Sequence, residues 1–197
     1  MSSSKNQETK VNASMVNRVK EQFTKERYKT QEFTDPFSKM LAEAGDSKAM
    51  GRMGEILVLN QLSDVGFKAK LLNGIEPCDL TMPNGQNIGR LEVKTAKVGY
   101  NTAVRKDGTR GKHYSFSQIK PECFDIIFFV FADHNECVVR VGGRKVRDLI
   151  RQHGSLQHKA NGYCIQFGEN KRQVNERGQD DVLVDLTAEN IKKMFKS

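Results

Sequence analysis

Asp79 precedes, and Glu92-Val93-Lys94 follows, a turn-forming stretch, Pro83-Asn84-Gly85. Turn formers between strand-like flanks predict a β-hairpin. With the turn centred between Gly85 and Gln86, Asp79 faces Glu92. Side-chain alternation then sets Asp79, Glu92 and Lys94 on one face and Leu91 and Val93 on the other. Two carboxylates and an ammonium converge. Such a set suits a divalent cation and a nucleophilic water. Mg²⁺ takes a few carboxylate oxygens and keeps waters that substrate phosphate can replace. Asp79 and Glu92 supply the carboxylates, and the main-chain carbonyl of Val93 is within reach of the same ion. Lys94, beside the metal, can orient or help deprotonate the attacking water and offset phosphate charge. One such triplet also fits an ordinary solvated hairpin face, so the surrounding elements must decide.

Asp46 or Ser47 caps a helix that runs through Gly51, Met53, Ile56, Leu57, Leu59 and Leu62 and stops near Gly66. Its apolar residues are dense enough for a core helix, which leaves Glu55 as the odd residue out. Either Glu55 lies at the polar edge, or it faces the metal site as a water-mediated ligand or orienter. Phe67 to Leu72 reads as a first strand. Phe124 to Ala132 is almost continuously apolar, as befits a strand buried on both faces at the centre of a sheet. Cys137 to Val141 pairs back on it, after a turn that holds His134. Tyr100 to His113 is polar, basic and glycine-containing, and reads as a mobile loop rather than a tight hairpin. Val146 to His153 reads as a basic helix, Gly162 to Phe167 and Val182 to Leu186 as strands. Thr187 caps a C-terminal helix.

Pro77 and Asp79, with Cys78 between them, and Glu92-Val93-Lys94 resemble the motif of the PD-(D/E)XK nuclease superfamily. The stretch from Gly51 to Leu62 resembles that superfamily's first core helix, with its acid at Glu55. The resemblance spans roughly residues 46 to 142, and helix acid, strand acid and Glu-x-Lys follow in the family's order. It implies an α/β, restriction-endonuclease-like fold: a central mixed β-sheet flanked by helices. It also implies a Mg²⁺-dependent DNA endonuclease, with Mn²⁺ able to replace Mg²⁺. The catalytic residues would be Glu55, Asp79, Glu92 and Lys94, and the ion would sit on Asp79, Glu92 and Val93. A site-specific enzyme of restriction or homing type, working as a dimer with one strand cut per protomer, is the first expectation. The alternatives are a structure-specific nuclease such as a Holliday junction resolvase, or a non-catalytic DNA-binding module on the same fold. Gln118 weakly resembles a polar residue that some relatives hold near the metal.

The chain has 197 residues and a net charge of +8. That length accommodates one domain, 46–197, behind a polar, partly helical N-terminal arm, 1–45. In the arm, Val16, Val19, Phe23 and Tyr28 fit a weakly amphipathic helix, and Pro36 opens a second short one. The arm reads equally as a DNA clamp, an oligomer contact or a tail. Seven basic residues between Lys94 and Lys120 meet one acid, Asp107, and six between Arg140 and Lys159 meet one, Asp148. This clustering favours a polyanionic partner, double-stranded DNA, because phosphate contacts release condensed counterions. Lys97, Arg105, Lys106, Arg110, Lys112, Arg144, Lys145 and Arg147 are the expected contacts. No apolar run is long enough to span a bilayer, and the N-terminus lacks a signal-peptide core, which together imply an intracellular protein. The four cysteines form no CxxC pair and read as buried free thiols.

Overall fold

The computed structural model describes residues 36–44, 46–72, 76–156, 162–168, 174, 178 and 182–196. The expected arm helix through Val16, Val19, Phe23 and Tyr28 lies outside them. All the described residues belong to one compact unit, Phe33–Ser197. None of their helices is long and apolar enough to cross a membrane.

The element order is α1 (Pro36–Glu43), α2 (Ser47–Asp64), β1 (Lys70–Leu71), β2 (Leu80–Asn84), β3 (Asn87–Lys97), β4 (Gly99–Val104) and β5 (Arg110–Ile119). There follow β6 (Ile126–Ala132), β7 (Cys137–Gly142), α3 (Arg144–His153), β8 (Ser155–Leu156), β9 (Tyr163–Gly168), β10 (Val184–Asp185) and α4 (Ala188–Lys196). The fold is mixed α/β, with a central mixed sheet flanked by helices. That sheet has the order β1-β2-β3-β6-β7-β10. β3 and β6 run parallel, and the other neighbours are antiparallel.

β6 is the middle of the molecule because all seven of its residues are apolar and buried. Alternation sends Ile126, Phe128 and Val130 to one face, against Val58 and Leu62 of α2 and Ile191 of α4. Ile127, Phe129 and Phe131 go to the other face. They meet Val146 and Ile150 of α3 and a second sheet, ordered β4-β5-β9-β8, through Phe116, Ile165 and Phe167. Phe116 and Phe167 set their rings edge-on to Phe129, with centroids 4.8 and 5.3 Å away. This geometry contributes beyond the area buried.

The parallel register of β3 and β6 is pinned at one end by Arg90. Its guanidinium holds Asp125 (Nη2 to Oδ1, 2.9 Å), its N–H donates to the same carboxylate, and its carbonyl accepts from the Asp125 N–H. Helix α2 is delimited as its sequence predicts. Asp46 accepts the Ala49 N–H at its start. At its end Gly66, at φ +88°, lets Phe67 donate to the Leu62 carbonyl and close a Schellman turn.

Three expected elements change, and one of them, the strand over Val182 to Leu186, is only Val184–Asp185. The first strand is only Lys70–Leu71 rather than Phe67 to Leu72. The stretch Tyr100 to His113 is a β-hairpin, β4 to β5, not a loop. Every residue from Thr102 to Arg110 is exposed, so its strands carry no apolar alternation by which to recognise them. The local signal was Asp107-Gly108. Gly108 takes φ +83°, and Asp107 accepts both the N–H and the hydroxyl of Thr109, the chemistry of a tight hairpin turn. Of the four cysteines, all free, Cys78 is buried and the others are half-buried.

Candidate active site

The β2–β3 hairpin has the register expected from its turn. Leu80 pairs with Leu91 and Asn84 with Asn87, around Gly85 at φ +60°. Asp79 stands just before β2 and is held by three main-chain contacts. Its N–H donates to Leu91, its carbonyl accepts from Leu72, and its Oδ2 accepts the Val93 N–H at 2.8 Å. Its carboxylate therefore turns toward β3 with one oxygen left over. Parallel pairing gives Glu92 and Lys94 the same face as Ile127 and Phe129. Glu92 is buried, and Lys94 Nζ lies 2.7 Å from its Oε1.

Glu55 comes from the other side, on α2. Gly54 brings α2 against β3 so closely that a Cβ there would fall 1.9 Å from Thr95 Oγ1. This approach carries the neighbouring Glu55 to the site, where it interacts electrostatically with Asp79, Glu92 and Lys94. Arg52, which the sequence reading passed over, holds Glu55 at 2.8 Å and also reaches the Leu72 carbonyl at 3.4 Å. Because the Leu72 N–H in turn binds the Asp79 carbonyl, Arg52 ties helix acid and strand acid into one frame. An arginine three residues before an acid on a helix was the available signal.

Burial pushes the Glu92 carboxyl above its ordinary range. Lys94 pulls it back, and the charges of Asp79 and Glu55 push it up again. Glu55 is also raised, first by burial, with Arg52 opposing and Asp79 adding to the rise. Three carboxylates thus share the site with two cations, Lys94 and Arg52, and repel one another. Among the described residues no group of three or more His, Cys, Asp and Glu side chains is arranged to hold a metal ion. Asp79 and Glu92 are two carboxylates close enough to feel each other's charge, and Mg²⁺ is an ion that binds through few protein oxygens and keeps its waters.

The expected DNA contacts do not form one cluster. Arg105, Lys106 and Arg110 lie at the exposed end of the β4–β5 hairpin, and Lys97 is exposed at the end of β3. Lys112 is also exposed, but its ammonium holds Asp133. Arg144 and Lys145 are exposed in the first turn of α3, while Arg147 donates to the Phe124 carbonyl at 3.3 Å. Gln118 is exposed, at φ +57°, within the register break between β5 and β9. His134 is buried and stacks on Tyr100, with ring centroids 6.1 Å apart.

No known family profile matches the chain, and no curated protein matches it. Among solved structures it is similar to a bacterial homing endonuclease, I-Ssp6803I, at 14% identity and a TM-score of 0.47, over 77% of this chain and 95% of that one.

Proposed function

We propose that this chain is a Mg²⁺-dependent endonuclease that hydrolyses phosphodiester bonds in double-stranded DNA, site-specifically, as restriction and homing enzymes do. One observation carries the reading: Glu55, Asp79, Glu92 and Lys94, drawn from a helix and a hairpin, meet in one electrostatically coupled group. Asp79, Glu92 and the Val93 carbonyl would hold Mg²⁺, with Mn²⁺ able to replace it. When bound, the ion supplies a polarised phosphate and a more acidic water.

The chain's own residues do the rest. The Lys94 ammonium, fixed by Glu92, orients the attacking water and meets the charge that develops on the phosphate. Glu55, braced by Arg52, accepts a hydrogen bond from water on the helix side. Arg144, Lys145, Lys97, Arg105, Lys106 and Arg110 contact the polyanion, while Lys112 and Arg147 brace the elements that carry these contacts. Two protomers cut the two strands.

The test is incubation of a long linear duplex with Mg²⁺, Mn²⁺ or EDTA, with a synthetic four-way junction in parallel. Discrete fragments that disappear with EDTA and with Glu92→Ala support the reading. Cutting of the junction alone would make the chain a structure-specific nuclease. Intact duplex, junction and single strand in both metals would overturn catalysis.

A further inference from the structure

The β4–β5 hairpin has a firm base and a bare end. At the base, Tyr100 pairs across the strands with Lys112. Lys112 is bonded to Asp133, at the turn after β6, and Tyr100 stacks on His134 of the same turn. Two residues further along β5, the Tyr114 ring stands edge-on to Phe131 at 5.0 Å. Beyond this base every residue from Thr102 to Arg110 is exposed, yet the ribbon stays closed. Val104 pairs with Arg110, and Arg105 N–H donates to the Thr109 carbonyl at 2.7 Å.

From Lys112 back to Gly108 the ribbon reaches about 13 Å at a strand's rise, more than the roughly 8.5 Å depth of a DNA major groove, which admits a two-stranded ribbon. The register shift between Tyr100 and Val104 adds twist to that outer part. Its side chains are not those of a surface that only tracks phosphates. Lys106 and Arg110 stand with Thr102 and Thr109, and the apolar Val104 is 56% exposed on the same face as Arg110. The acid in the stretch, Asp107, is engaged by Thr109.

We infer that the outer β4–β5 ribbon enters the major groove of duplex DNA and reads base edges there, with Arg110 placed for guanine acceptors and Val104 for a thymine methyl. The inference rests on the double-stranded DNA proposed above as the partner. It does not depend on cleavage.

The experiment is selection from a randomised DNA duplex pool by the full chain in EDTA, without catalysis, for the parent and for Val104→Ala and Lys106→Ala/Arg110→Ala. The expected result is an enriched motif in the parent, with loss of preference by about tenfold at one or two positions in each variant and unchanged melting temperature. Binding should be displaced by the major-groove ligand methyl green, not by the minor-groove ligand netropsin. Duplex RNA, whose major groove is too narrow for side chains, should compete poorly. A motif identical in parent and variants overturns the inference, as does displacement by netropsin alone. A motif lost in the variants of a chain that never cuts DNA would sink the nuclease reading and leave the ribbon's role standing.

Discussion

Lys94 and Glu92 form a close ion pair in a site that holds two further carboxylates, and this crowding defines what each residue contributes. Asp79→Ala or Glu92→Ala should abolish cleavage while DNA binding without metal survives or tightens, since these carboxylates serve the ion and repel phosphate without it. Gel-shift and cleavage assays on the same preparations check this, and parallel loss of binding and cleavage in a folded variant would argue against it. Lys94→Ala should slow turnover by about 10²–10⁴-fold and leave the fold intact; near-parental turnover would make Lys94 a surface charge. The pH dependence of stability has a defined sign. Burial holds the folded Glu92 above its ordinary value of 4.5, so ionising it opposes folding. The stability that the neutral form provides is present below pH 4.5 and is lost as pH rises through the folded value. Glu92→Gln should therefore melt higher than the parent at neutral pH, and the two should converge under acid. Melting curves across pH without divalent metal would show it.

At the scale of elements, the contact between α2 and β3 depends on Gly54. Alanine in a helix interior is otherwise better than glycine by about 1 kcal/mol, but here its Cβ would meet Thr95 Oγ1 at 1.9 Å. Overpacking of this kind costs about 1–3 kcal/mol, so Gly54→Ala should destabilise the protein and move Glu55 away from the site. Thr95 Oγ1 is buried with no hydrogen-bond partner, so Thr95→Ala sacrifices no bond. The double variant should recover most of the loss in denaturant melts; failure to do so would mean that another contact sets the approach. The amphipathic and apolar elements were legible in the sequence, because β6 is an unbroken apolar run, α2 is dense in apolar residues and α3 separates a basic face from an apolar one. The β4–β5 hairpin was not, since a ribbon exposed along its outer half has no apolar period to read.

For the whole molecule, the two basic clusters lie on different elements, the β4–β5 hairpin and the first turn of α3. Arg144 and Lys145 are exposed beside the positive end of a helix, a natural place for phosphate. Arg144→Ala/Lys145→Ala should flatten the dependence of log affinity on log salt by about two units, at roughly 0.9 per phosphate contact, with no change in melting temperature. Fluorescence anisotropy over a salt series measures it, and an unchanged slope would remove α3 from the DNA path.

Local chemistry in the sequence was sufficient for the hairpin register from Leu80 and Leu91 to the turn, which brings Asp79 beside β3, because turn residues and two-residue alternation act over a few positions. It was also sufficient for the central strand, whose apolar run can only be buried. The position of Glu55 was a matter for tertiary structure. Whether that acid meets water or the site depends on how closely α2 packs, and so on Gly54 against Thr95, far apart along the chain. The same holds for Lys112. Its charge reads as one more DNA contact, and only the fold shows that the same ammonium also holds Asp133, a meeting that no spacing along the sequence encodes.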